Sequence, residues 1–174
     1  MNKAFLLDRD GTINLDTGYV GSVEELELLP GAAEAIRRMN DAGYLVIVIS
    51  NQSGVARGYF DIEAVERVNT RLNELLKMEG AHIDAFYYCP HLPDAVIPKY
   101  AVDCDCRKPG TGLFEQAITE FCLDPVQCFA CGDKLRDVER LPNIGIPVEH
   151  LGVLMKQDRV QTYDSLVSFV KAVL

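Results

Sequence analysis

The stretch Phe5-Leu6-Leu7-Asp8-Arg9-Asp10-Gly11-Thr12 constrains this chain more than any other, because an apolar run stops at two carboxylates followed by a glycine. Lys3 to Leu7 reads as a strand buried on both faces, as central parallel strands are. Open α/β sheets bind their ligands beyond the carboxyl ends of such strands, which is where Asp8 falls. In extended chain residues i and i+2 share a face, so Asp8 and Asp10 converge, and Gly11 lets the backbone turn away. Two like charges so close require a counterion. A hard divalent cation, most simply Mg²⁺ with its waters, would serve and would also bind a phosphate oxygen. Taken alone, the same letters also describe an ordinary strand-terminal turn.

The pattern of a strand delivering polar groups repeats along the chain. Pro30-Gly31 precedes a helix from Ala32 to Met39 that stops at Gly43, and Tyr44 to Ile49 forms a second buried strand running into Ser50-Asn51-Gln52-Ser53-Gly54. Asp61 caps a helix whose Ile62, Val65, Val68, Leu72, Leu75 and Leu76 make one apolar stripe. Ile83 to Tyr88 is a third strand, followed by a proline-containing loop that ends at Cys106-Arg107-Lys108-Pro109 and by a helix from Leu113 to Phe121. Gln127 to Cys131, a fourth strand, leads into Gly132-Asp133-Lys134-Leu135-Arg136-Asp137. Val148 to Leu154 and a helix from about Asp164 to Leu174 complete the chain, and Pro142 shortens whatever helix follows the acidic motif. Strands alternating with helices predict a doubly wound, mostly parallel α/β sheet. No helix-rich insertion remains for a separate cap domain, so residues 1–174 are expected to form one domain.

Composition narrows the class of partner. A formal net charge of −9 argues against a nucleic-acid binder, which needs a basic face. No apolar run approaches a bilayer span and the first residues lack the pattern of a signal peptide, so a cytoplasmic, monomeric protein with no membrane partner is expected. A small anionic substrate held by a few local cations remains open.

D-R-D-G-T, S-N-Q-S-G, R-K-P and G-D-K-L-x-D occur in the order and approximate separations of the haloacid dehalogenase superfamily of phosphatases, which the chain resembles from about Phe5 to Gly145. The resemblance implies a Rossmann-like fold and Mg²⁺-dependent phosphomonoester hydrolysis. It implies Asp8 as nucleophile, forming an aspartyl-phosphate, and Asp10 as general acid and base. Ser50 and Lys108 would bind the transferring phosphoryl group, and Asp8, Asp133 and the main-chain carbonyl of Asp10 would hold Mg²⁺. Asp137 is either a solvated helical acid or a group supporting the ligands from behind.

Six cysteines in such a chain favour thiols or metal ligands over a disulfide framework. Cys89-Pro90-His91 and Cys104-Asp105-Cys106 each offer ligands at i and i+2, and together they form a Cys₃His set suited to a closed structural Zn²⁺ site; buried thiols beside a loop histidine are the alternative. Four protein ligands leave no position for substrate, so zinc would staple loop 89–106 and hold Arg107 and Lys108 in place. Cys128 and Cys131 point to opposite faces of a strand, and these two and Cys122 are expected to be small buried hydrophobes. Within the superfamily, C-P-H-x-P and C-D-C-R-K-P are similar to the zinc-containing branch of heptose bisphosphate and histidinol-phosphate phosphatases. Gly18-Tyr19-Val20 and Ser53-Gly54-Val55-Ala56-Arg57-Gly58 resemble the heptose members, whereas Leu92-Pro93 is as much like the histidinol members. That resemblance implies a small phosphorylated sugar, removal of the 7-phosphate of a heptose 1,7-bisphosphate, and substrate contacts from Asp16, Thr17, Gly18, Tyr19, Asn51, Gln52, Ser53, Arg107 and Lys134.

Overall fold

In the computed structural model, which describes residues 1–174, the strand that precedes Asp8 lies in the middle of a single parallel sheet. The strands are β1 (Ala4–Leu7), β2 (Leu45–Asn51), β3 (Ala85–Cys89), β4 (Phe129–Gly132) and β5 (Leu151–Val153), in the spatial order β3-β2-β1-β4-β5. All β1 residues are buried, because neighbours flank it on both edges and helices cover both faces. Alternation along the strands divides the core in two. Phe5, Leu7, Val46, Val48 and Cys131 face α1 (Ala32–Asp41), α2 (Ile62–Met78) and α4 (Leu166–Val173), whereas Ala4, Leu6, Ile47, Ile49 and Cys128 face α3 (Gly112–Glu120). Cys128 and Cys131 thus enter different cores. The strand order reverses direction between β1 and β4, and such a switch point leaves a crevice beyond the carboxyl edge.

Local signals explain most boundaries. Asp61 accepts from the Ala64 N–H at 2.8 Å and opens α2, and Gly43, at φ +76°, ends the turn after α1 where a side chain would be strained. The second and third strands begin and end later than the sequence pattern implies. Their parallel register pairs Ile47 with Ala85 and Asn51 with Cys89, so ladder hydrogen bonding carries both strands into their polar ends. No α-helix forms between β4 and β5. Leu135–Asp137 and Leu141–Ile144 are short 3-10 turns, the latter with Pro142 in its first turn. The last helix starts at Leu166, capped by Ser165 accepting from the Ser168 N–H.

Cys122 departs from expectation. It is exposed, at φ +49° in the turn after α3, because the chain reverses there to bring Leu123 rather than the thiol into the core. No helix is long and apolar enough to cross a membrane.

Candidate active site

Asp8 is fixed by the sheet itself. Its N–H donates to the Cys131 carbonyl at 3.0 Å, extending the β1–β4 ladder by one residue and setting Asp8 beside the end of β4. Asp133 follows β4 directly. The chain after Asp10 then folds back over Asp133, with Gly11 at φ +83°; a Cβ there would lie 2.7 Å from Asp133 Oδ2 and in a strained backbone conformation. Oxygens of Asp8, Asp133 and Asp137 gather within 4.8 Å of one another at this crevice.

Lys108 arrives from the far end of the cysteine loop and is the cation of this cluster. Its Nζ donates to Asp8 Oδ1 at 2.7 Å, to the Ile49 carbonyl at 2.7 Å and lies 2.8 Å from Asp137 Oδ1, with the residue only 3% exposed. Burial alone would drive off its proton, but Asp8 and Asp137 outweigh that and hold its pKa above the usual lysine value. One ammonium does not neutralise three buried carboxylates. Burial raises Asp8 to about 7, Lys108 opposes this, and Asp137 and Asp10 add to it; Asp133 is raised by burial and then by Asp137. Surplus negative charge on oxygen donors is what a hard dication requires, so the donor set fits Mg²⁺. Both Asp137 oxygens are already engaged, one by Lys108 and the other by the Lys134 N–H at 2.9 Å, which leaves Asp8 and Asp133 with oxygens free to ligate.

Asp10 is held differently. Arg9, fully buried, directs Nε and an Nη to its carboxylate at 3.0 and 3.1 Å, and the side chains of Asn14 and Gln52 donate at 2.9 and 3.0 Å. Burial would raise Asp10, yet Arg9 and these donors hold it below the ordinary value. Two carboxylates one residue apart therefore have opposite electrostatic settings.

Around them is a polar cavity of about 200 Å³. Asp8, Asp10, Asp16, Gly18, Tyr19, Asn51, Gln52, Ser53, Arg107, Lys108, Asp133 and Lys134 all line it. Thr17 does not; it is exposed in the loop beyond Asp16. Ser50 lies beneath the floor, buried, with its Oγ accepting from Gln52 Nε2 at 3.2 Å. Three lining residues were not assigned there from sequence: Arg57, Arg136 and Asp137. For Asp137 a signal exists, since a Cβ on Gly132 would fall 2.4 Å from Asp137 Oδ2, so the glycine ahead of Asp133 makes room for the second carboxylate. For the arginines only the tertiary fold brings them in.

The ion pairs of the cavity are those of Lys108, Lys134 and Arg9, while Arg57, Arg107 and Arg136 have no carboxylate partner. The Arg107 pKa is lowered by burial and further by Arg136 and Arg57, the mark of cations crowded at one rim. In a chain of net charge −9 such a local excess needs an anion to relieve it.

Beside this rim Cys89, His91, Cys104 and Cys106 converge. Their Sγ and Nδ1 atoms form the six edges of a tetrahedron, between 2.8 and 3.7 Å long. Three thiols and one imidazole around a common centre are the donors of a structural zinc site. Arg107 donates to the His91 carbonyl at 3.4 Å, tying the cluster to the rim.

A doubly wound sheet whose switch point carries paired aspartates, a buried lysine and a third acidic strand end defines a phosphatase of the haloacid dehalogenase type. The family model described as "Polynucleotide kinase 3 phosphatase" matches residues 21–163. A D-glycero-β-D-manno-heptose-1,7-bisphosphate 7-phosphatase of Haemophilus ducreyi is 39% identical over 150 residues, 86% of this chain and 82% of that protein. A protein of the same name from Rhodopseudomonas palustris is 39% identical over 95% of this chain and 94% of its own. The crystal structure of a D,D-heptose 1,7-bisphosphate phosphatase from B. bronchiseptica, complexed with magnesium and phosphate, superposes with a TM-score of 0.85 at 28% identity, covering 99% of this chain and 98% of that one. The chain belongs to this family of phosphatases, as a hydrolase of phosphate esters.

Proposed function

We propose that the protein removes the 7-phosphate of D-glycero-D-manno-heptose 1,7-bisphosphate, acting as a cytoplasmic monomer. The observation that carries this reading is the pairing of the aspartate cluster with a rim of three arginines that have no carboxylate partner, across one small cavity. A phosphoryl group at Asp8 and a second anionic group at the rim match a bisphosphate on a small sugar, and the names of the relatives supply that sugar.

In this reading an Asp8 oxygen attacks phosphorus and the ester bond to the sugar breaks, the leaving oxygen taking its proton from Asp10. Asp10 then accepts a proton from water. The water oxygen attacks phosphorus, the bond to Asp8 breaks, and phosphate is released with Asp8 restored. On giving up its proton Asp10 becomes the ionised base of the second half, a form favoured by the four hydrogen bonds it accepts from Arg9, Asn14 and Gln52, which also fix its direction. Lys108 offers its ammonium to the phosphoryl oxygens, whereas Ser50, beneath the cavity floor, acts on Asp10 by holding the Gln52 amide that donates to it, and not on the phosphoryl group directly. Mg²⁺ held by Asp8, Asp133 and the Asp10 carbonyl would supply charge neutralisation for the same oxygens. Zn²⁺ on the Cys₃His set would order loop 89–106 and take no part in the chemistry.

The test is phosphate release from heptose 1,7-bisphosphate beside histidinol phosphate and an aryl phosphate, with Mg²⁺ and with EDTA. A kcat/KM favouring the bisphosphate by at least about a hundredfold, lost in EDTA, is expected. Preference for histidinol phosphate would reassign the substrate while leaving the mechanism in place.

A further inference from the structure

The turn between β2 and α2 carries Tyr59 and Phe60, neither of which lines the cavity. Both nevertheless touch the loops that do. A Cβ on Gly21 would fall 2.3 Å from Phe60 Cδ1, and one on Gly54 would fall 2.3 Å from Phe60 Cζ. Neither glycine has a left-handed φ, so what they provide is room and not conformational freedom. The Phe60 ring is wedged between the backbone of the loop bearing Asp16, Gly18 and Tyr19 and that of the turn bearing Gln52, Ser53 and Arg57. Its neighbour acts on the same loop: the Tyr59 and Tyr19 rings meet edge to face with centroids 4.9 Å apart, and the Arg57 guanidinium lies 5.6 Å from the Tyr19 ring centre.

The loop is anchored at its two ends, by the Leu15 N–H donating to the Glu27 carbonyl at 2.8 Å and by the buried Val20, and between them Asp16 lies 4.0 Å from Lys134 Nζ. Residues 15–19 are exposed, and the hydrogen bonds to its tip are local, Gly18 N–H to Asp16 at 2.9 Å and Gly21 N–H to Glu25 at 3.1 Å, with Arg9 reaching the Val20 carbonyl at 3.4 Å from below.

We propose that Tyr59 and Phe60 are positioning residues, a clamp that fixes the Asp16–Gly21 loop against the Gln52–Arg57 turn and thereby shapes the cavity wall facing the part of the substrate beyond the transferred phosphate. The proposal rests on the phosphatase reading above but not on the identity of the sugar. The clamp acts through Tyr19 and Arg57 and touches none of Asp8, Asp10 and Lys108, while Gln52 is held to the sheet end by its own N–H donating to the Cys89 carbonyl at 2.8 Å, so the clamp governs recognition of a large substrate and leaves small-ester chemistry alone.

Phe60→Ala is expected to raise KM for the bisphosphate about tenfold while changing kcat for an aryl phosphate by less than about twofold. Amide exchange should accelerate over residues 15–21 and not in the sheet. Gly21→Ala should do the same, because its methyl displaces the ring. In the double variant the methyl occupies the space the ring has left, so it should be no worse than Phe60→Ala alone, a strongly non-additive pair. Tyr59→Ala changes a side chain on an exposed residue and carries the same test should Phe60→Ala fail to fold. Unchanged KM and unchanged exchange in Phe60→Ala and Tyr59→Ala, or an additive double variant, would overturn the clamp, as would an equal fall in aryl phosphate turnover. If the wild-type protein ignores the bisphosphate but hydrolyses another sugar phosphate, the substrate reading fails, and KM for that ester with the exchange data still decides the clamp.

Discussion

Asn51 grips the peptide of Lys108 from both sides, its Oδ1 accepting from the Lys108 N–H at 2.9 Å and its Nδ2 donating to the Lys108 carbonyl at 3.1 Å. The end of β2 thus fixes a lysine that arrives on a loop from β3. Asn51→Ala removes both bonds, worth about 1–3 kcal/mol together, and frees the backbone under the ammonium. Turnover should fall about 10- to 100-fold, with a lower Tm, and KM for the bisphosphate should change less than kcat. A KM effect with kcat intact would show that Asn51 acts mainly as a substrate contact.

Asp8→Asn separates chemistry from folding. Burial raises the Asp8 carboxyl to about 7, so ionisation there opposes folding, whereas an amide keeps the shape without the charge. Steady-state rates should drop by at least about 10⁴-fold while thermal unfolding occurs at the same temperature or higher. Substantial residual turnover would remove Asp8 from the role of nucleophile.

The same shift links stability to pH and metal. With folded-state pKa values raised, Asp8 and Asp133 contribute stability that is full below the unfolded value near 3.8 and is lost as pH rises, for Asp8 through about 7. A dication reverses this by favouring the ionised pair. In EDTA, Tm should decline between about pH 5 and about pH 8, and saturating Mg²⁺ should raise Tm more at the higher pH. An equal Mg²⁺ effect at both values would argue against a site built on these two carboxylates.

Loss of the loop staple should be felt at the arginine rim. Burial raises the Cys104 thiol, but hydrogen bonds with Cys106 and His91 outweigh it and bring it down to about 7, so one ligand is readily available as thiolate. Cys104→Ser should abolish bound zinc by elemental analysis. Because Arg107 is anchored on the His91 carbonyl, KM should rise about tenfold while aryl phosphate turnover persists. Retained zinc, or lost zinc with unaltered KM, would detach the cluster from substrate binding.

Much of this architecture is written locally. The first four strands announce themselves by apolar runs, Asp8, Ser50 and Asp133 by standing at or just past the ends of three of them, and the opposite orientation of Cys128 and Cys131 by strand alternation alone, whereas Lys108, on the loop after β3, has no such position. Boundaries were less legible where hydrogen bonding across the sheet overrides side-chain pattern, as at Asn51 and Cys89. Cys122 misleads because its neighbourhood reads as helix end, and burial there depends on which way the chain turns.

The cavity divides in the same way. Asp8, Asp10 and the Cys/His clips declare themselves because each pair sets two ligand-type residues two positions apart, a spacing visible in the sequence itself. Arg57 and Arg136 carry no such mark. Asp137 has one in Gly132, but its role is decided by the ammonium of Lys108 at 2.8 Å, which comes from a distant loop. The doubly wound sheet, the acidic strand ends and the ligand pairs follow from residue order, since these rest on periods of two residues or one helical turn. Which cations lack a carboxylate partner, which carboxylate is raised and which lowered, and which aromatic ring lies between two loops emerge only from the folded chain, because charge balance and close packing depend on neighbours far apart in sequence.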